Sequence, residues 1–192
     1  MIHYACLQVV SSAYAKCYTW DVFQDGQLLG RKMRRLDKVG PFMCIRECLL
    51  RRSCKSINYY QLLSLCDINY DTISSNHSLQ QLGGTWRYLD KRQMYSMLDV
   101  SPCSDTTCGE NERCEVLANK SVVCSVTECG PLAAEKLRLV DSSYSPLMVG
   151  SRVRYQCVNN PSLLVLHQCQ QTGTWKALQR IPKECIKDKS PE

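Results

Sequence analysis

Long hydrophobic runs are missing from this 192-residue chain, and no stretch approaches the roughly 18 apolar residues that a helical bilayer span requires. Histidine is scarce: His3, His77 and His167 lie far apart, and no two cysteines stand in a C-x-x-C pair. Zinc ribbons and fingers are excluded on that spacing. The chain also has no G-x-S-x-G elbow and no glycine-rich phosphate loop, so nucleophilic and phosphoryl-transfer chemistry lack their parts. Paired carboxylates such as Asp67 with Asp71 or Glu110 with Glu112 read as solvated loop charges rather than an acid/base pair. No catalytic residue, metal ligand or cofactor is expected.

What the chain has instead is cysteine, 14 residues in 192. A chain of this length could bury a core without staples, so this density points to small bridged domains in an oxidising, secreted or extracellular setting. Ala13, Tyr14 and Ala15 before Lys16 suit a signal-peptidase site, although the apolar stretch from Tyr4 to Val10 is short. Two readings of residues 1–16 stand open. A cleaved signal peptide removes Cys6 and leaves thirteen cysteines, whereas a retained N-terminal remnant keeps fourteen and allows a Cys6–Cys17 bridge.

Charge changes along the chain in steps. Lys and Arg against Asp and Glu count 13 to 7 over residues 1–98, 2 to 6 over 99–128 and 9 to 5 over 129–192, for the overall +6. The steps coincide with changes in cysteine spacing and with the break at Ser101 and Pro102, which predicts three units: 17–98, 99–128 and 129–185, with a charged, disordered tail at 186–192.

In the first unit, Tyr18, Trp20 and Val22 on one side and Leu28 and Leu29 on the other flank the turn signal Asp25, Gly26, which predicts a hairpin. Phe42, Ile45, Cys48 and Leu49 follow at helical spacing over 41–52, with Pro41 near the start. Strands are predicted at 56–60, 62–68 and 85–89. The outcome is α+β, one helix on an antiparallel sheet. Two helix cysteines, Cys44 and Cys48, a third just after, Cys54, and a fourth in the following strand, Cys66, together with "CKSINYY" and "CDINY", resemble the PAN/apple family. The resemblance implies nested bridges Cys44–Cys66 and Cys48–Cys54. It departs from the family where Cys17 finds no partner between Trp86 and Leu98, which leaves Cys6, with Cys103 as the other candidate.

The second unit is too short for a core and carries Cys103, Cys108, Cys114 and Cys124 among polar residues. It resembles a truncated EGF-like module without the fifth and sixth cysteines, which implies Cys103–Cys114 and Cys108–Cys124. Ser101 and Pro102 stand where a hard cation would need oxygen ligands, so calcium is not expected. The third unit, with "ECGPL", "VGSRVRYQC" and "QTGTWKALQRIPKEC", resembles an all-β sushi (complement control protein) module. That implies Cys129–Cys169 and Cys157–Cys185, with Trp175 filling the small core between them.

The strongest binding feature is the basic run Arg31, Lys32, Arg34, Arg35 and Lys38, with Arg51, Arg52 and Lys55 after the helix, a candidate polyanion site. A solvated basic face is the alternative. Tyr59, Tyr60 and Tyr70 offer rings to a sugar, but strand alternation sends two of the three into the core. Asn76 and Asn119 are N-glycosylation sequons. The resemblance implies a non-enzymatic extracellular recognition or adhesion protein that binds carbohydrate, a sulfated glycosaminoglycan among the candidates, or protein. Binding is expected through the first unit, with the other two as a stalk, and neither nucleic acid nor a membrane span is expected. The alternatives are a complement-type regulator or protein-binding factor acting through the third unit, and a structural matrix component.

Overall fold

A computed structural model describes residues 4–7, 16–19, 22–74, 77–81, 85–104, 108–132, 137–140 and 147–185. The first two strands, β1 (Tyr4–Leu7) and β2 (Lys16–Thr19), pair antiparallel with Cys6 opposite Cys17. That register sets the two backbones at the separation of directly facing residues, which is the range a disulfide spans.

Residues 24–90 build a five-stranded antiparallel sheet. Its strands are β3 (Gln24–Asp25), β4 (Lys32–Leu36), β5 (Ser56–Tyr60), β6 (Leu65–Asn69) and β7 (Trp86–Asp90), in the order β3-β7-β5-β6-β4. One face carries helix α1 (Pro41–Leu49). Pro41 takes the first helical position, where its missing N–H costs nothing. Cys44, Ile45, Cys48 and Leu49 form the buried stripe, packed on Ile57, Tyr59 and Ile68 of the sheet. Disulfides Cys44–Cys66 and Cys48–Cys54 clip the helix to β6 and to the loop behind it. A short helix α2 (Lys91–Met94) follows β7, started by a capping box in which the Asp90 carboxylate and the Gln93 side chain satisfy each other's backbone.

The expected hairpin about Asp25 and Gly26 does not form. Gly26 turns with φ +119°, in the left-handed region that glycine tolerates, and sends residues 27–30 across the second face of the sheet as a strap. The reason is Asn58 on central strand β5. Its carboxamide accepts from the Leu28 N–H at 2.9 Å and donates to the Leu28 carbonyl at 3.0 Å, replacing a strand partner with a side chain. The strand expected at 62–68 begins later, because residues 61–64 make the turn between β5 and β6.

Residues 99–128 contribute a hairpin, β8 (Glu112–Val116) and β9 (Val122–Val126), with Cys103–Cys114 and Cys108–Cys124 as its bonds. The rest forms a four-stranded antiparallel sheet of β10 (Leu137–Leu139), β11 (Arg152–Cys157), β12 (Asn160–Cys169) and β13 (Trp175–Ala177). Cys129–Cys169 closes it, and the Trp175 indole donates to the Gly130 carbonyl at 2.7 Å. The expected Cys157–Cys185 bond is not made, and Cys157 is a buried thiol. Cys185 arrives in a single 3-10 turn, Lys183–Cys185, after residues 179–182 that join no strand. No ladder sets its approach to Cys157, and a disulfide needs a specific one.

A stalk arrangement is not what the contacts describe. Leu147, fully buried, donates its backbone N–H to Met33 of β4 at 3.3 Å, so the last segment touches the first sheet directly.

Candidate recognition surface

The basic run does not converge on one face. β4 is an edge strand, and a bulge between Lys32 and Arg34 turns Met33 inward to 1% exposure while its neighbours diverge. Arg35 lies over the strap side and grips buried Asp67 with two bonds, 2.5 and 2.7 Å, while its guanidinium stacks 5.7 Å from the Trp86 ring centre. Its pKa is raised by that bonding to Asp67, against the opposing effect of burial. Asp67, expected as a solvated loop charge, is instead 1% exposed and also accepts from Gln27 at 3.2 Å.

Arg34 turns toward the opposite side, where burial lowers its pKa, with Arg51 adding to the effect. Arg51 is itself 1% exposed. It donates to the Glu47 carboxylate at 2.6 Å and to the Glu47 carbonyl at 2.7 Å, with Glu128 at 3.5 Å. Arg113 of β8 reaches the same Glu47 at 2.9 Å. Burial alone would push the Glu47 pKa up, but the hydrogen bonds from Arg113 and Arg51 outweigh it and hold the carboxyl at about 2. Glu128, also buried, accepts from Ser53 at 2.8 Å. These ions therefore weld the second segment to the helix and are not available to a polyanion.

The remaining cations are scattered. Arg52 pairs with Glu110 at 2.9 Å on the surface, and the Lys55 amine donates to the Arg52 carbonyl at 3.4 Å. Lys32 is half-buried and its pKa is lowered, mainly by desolvation. Lys38 is exposed at a turn with φ +55°. A string of positive charge on an edge strand thus serves to blunt edge pairing and to bury ion pairs on both faces.

Arg31 pairs with Asp71 at 3.4 Å and donates to His77 Nε2, while Ser74 Oγ lies 3.0 Å and Asp71 3.8 Å from His77 Nδ1. The Ser–His–Asp proximity has the wrong topology for a triad. An arginine can only donate, so it occupies the Nε2 lone pair that a general base would need, and both carboxylate and hydroxyl crowd the other nitrogen. Among the described residues, Cys108, Glu112 and Cys124 are grouped closely enough for a metal, but the two sulfurs are bonded to each other and offer no thiolate. His167 is buried edge-on against Tyr155, 5.2 Å between ring centres, and desolvation lowers its pKa, so it packs as a neutral core ring.

Of the tyrosines, Tyr59 is 3% exposed and bonds the Val39 carbonyl at 3.2 Å. Tyr60 stacks on its cross-strand neighbour Trp86 at 4.9 Å, both half-buried. Beside them the β5–β6 turn, where a strand was expected, holds Leu62 and Leu63 outward at 70% and 62% exposure. Residues 37–39 border this turn, since the Val39 N–H bonds the Ser64 carbonyl at 3.1 Å. Asn119 is exposed in the β8–β9 turn, and Asn76 lies outside the described residues.

A helix clipped by nested disulfides to an antiparallel sheet, with an ion-paired interior and exposed turns, defines a disulfide-framed α+β module. Residues 17–94 match the family model of the PAN domain, and PAN domains are protein- or carbohydrate-binding modules of extracellular proteins. No curated protein and no solved structure matches the chain.

Proposed function

We propose that the chain is a non-enzymatic extracellular recognition and adhesion protein that holds a protein partner at the β5–β6 end of its PAN domain. The observation that carries this reading is the outward pair Leu62 and Leu63, set beside the Tyr60–Trp86 stack and exposed Lys38. Two adjacent leucines left in water at the end of a disulfide-held sheet suit an apolar contact ringed by charge. Binding of a sulfated glycosaminoglycan is less favoured, because six of the eight candidate cations, Arg31, Arg35, Arg51 and Arg52 with half-buried Lys32 and Arg34, are spent on carboxylates or burial. The hairpin with Cys103–Cys114 and Cys108–Cys124 supports the truncated EGF-like reading of the second segment, and Cys129–Cys169 beside Trp175 supports the sushi-like reading of the third.

The test is to present the oxidised full chain, and a Leu62→Ser, Leu63→Ser variant, to arrayed extracellular ectodomains and to neutral, sialylated and sulfated glycans at physiological salt. A protein ligand lost more than about tenfold in the variant, at unchanged melting temperature, is the expected result. Binding to sulfated chains that is steeply salt-dependent and indifferent to the two leucines would overturn it.

A further inference from the structure

The last sheet carries a surface of a different kind. In β11 the side chains of Val153, Tyr155 and Cys157 are buried, and in β12 so are those of Val165, His167 and Cys169. Strand alternation therefore turns Arg152 and Arg154 of β11, and Leu164, Leu166 and Gln168 of β12, to the opposite face. The register sets them in rows. Arg152 stands across from Gln168 and Gln168 across from Lys176 of β13, while Arg154 stands across from Leu166, whose carbonyl accepts from the Leu178 N–H at 2.8 Å. Leu164 and Leu178 are 43% and 39% exposed, and Arg152, Arg154 and Lys176 are exposed with them. The face is thus a cluster of three leucines with two arginines along one side and a lysine at the far corner.

Its charge is unopposed. Residues 142–183 contain no Asp or Glu, and among the described residues Arg152, Arg154 and Lys176 take part in no ion pair. The PAN domain is built the other way, with Arg35 held by Asp67 and Arg51 by Glu47. Here the cross-strand neighbours of the arginines are Gln168 and Leu166, which neutralise no charge. Cations fixed in rows without counter-charges, beside leucines in water, leave both the carboxylates and the apolar cover to be supplied by another molecule.

We infer that this face docks an acidic amphipathic segment of a partner protein, its apolar stripe on Leu164, Leu166 and Leu178 and its carboxylates on Arg152, Arg154 and Lys176. A sulfated polysaccharide would meet the cations and leave the leucines in water. A bilayer would meet the arginine and lysine ends first, because these side chains reach further than leucine, and its acyl chains would be held off the apolar cluster. The face lies on a different sheet from Leu62 and Leu63, so the two contacts stand or fall separately.

The probe is a synthetic peptide of about 18 residues with leucines along one helical stripe and glutamates beside it, titrated calorimetrically into the oxidised full chain at physiological salt. Its counterparts carry lysine in place of glutamate or serine in place of leucine, and a heparin fragment and phosphatidylserine vesicles are run alongside. The glutamate–leucine peptide is expected to bind at least about tenfold more tightly than either counterpart, since charge pairing and apolar burial act together only in it. Arg154→Gln with Lys176→Gln, and separately Leu164→Ser with Leu178→Ser, should each weaken it about fivefold or more, whereas Leu62→Ser with Leu63→Ser should leave it unchanged. Amide shifts in the unsubstituted chain should centre on residues 152–154, 164–168 and 176–178, a readout that does not depend on any variant folding. Equal binding of a counterpart peptide, tighter binding of the heparin fragment or the vesicles, no saturation by the peptide, no loss in either double variant, or shifts centred elsewhere would each overturn the inference.

Discussion

Glu47 of α1 and Arg113 of β8 meet at 2.9 Å, and with Arg51 and Glu128 they form the ionic joint between the PAN domain and the hairpin that follows it. The backbones join at the same place, with the Cys114 N–H on the Leu50 carbonyl at 2.9 Å. Arg113→Met should destabilise the full chain by about 2–3 kcal/mol, because Glu47 then keeps one cation in place of two in a mostly buried site. Denaturant unfolding checks it. A variant as stable as the parent would show that the pair contributes nothing.

The same joint should respond to acid. Glu47 is held at about 2 in the folded chain against its ordinary 4.5, so its stabilising effect is complete above 4.5 and is lost as pH falls toward 2. Hydrogen exchange at the Cys114 amide should accelerate, beyond its intrinsic pH dependence, across that window. In Glu47→Gln the excess should vanish; if it persists, another group is responsible.

The strap depends on one carboxamide. Asn58→Ala leaves the Leu28 N–H and carbonyl without their partner at a site where Leu28 is 2% exposed, at a cost of roughly 2–4 kcal/mol. Exchange of the Leu28 amide should rise toward the rate of an unprotected strand, while that of Ile57 should track only the global loss of stability.

Arg35 and Lys38 were indistinguishable as members of one basic run and should behave oppositely. Arg35→Gln strands a carboxylate that is 1% exposed and should cost about 3 kcal/mol, whereas Lys38→Gln should stay within about 0.5 kcal/mol. Equal thermal shifts for the two variants would sink the distinction.

At Asn119 the side-chain oxygen accepts from the Ser121 N–H at 3.0 Å and the Ser121 hydroxyl at 2.7 Å, which leaves its amide nitrogen to solvent in an exposed turn. Secretion from a glycosylating host should add a glycan there. A mass unchanged by Asn119→Gln would refute it.

The PAN domain was legible in the sequence because a helix with two cysteines one turn apart, followed by two more, is a local pattern of spacing. The helix start at Pro41 and the strand at Ser56 were legible for the same reason: proline chemistry and β-branched or aromatic alternation act over a few residues. The strap was not legible, since nothing around Gly26 announces that Asn58, thirty residues on, will capture Leu28. The candidate site misled in the same way. Charge is visible in a sequence, but the partner that neutralises it is not, and Asp67, Glu47 and Glu128 lie 32, 4 and 77 positions from the arginines they hold.

By itself the sequence determined the oxidised, cysteine-framed character of the chain and the PAN helix, because these follow from composition and short-range periodicity. Only the tertiary structure decided which cations were buried in pairs and which leucines stood in water. Those outcomes depend on strand order and on side chains meeting across long separations, where desolvation and ion pairing select the partner.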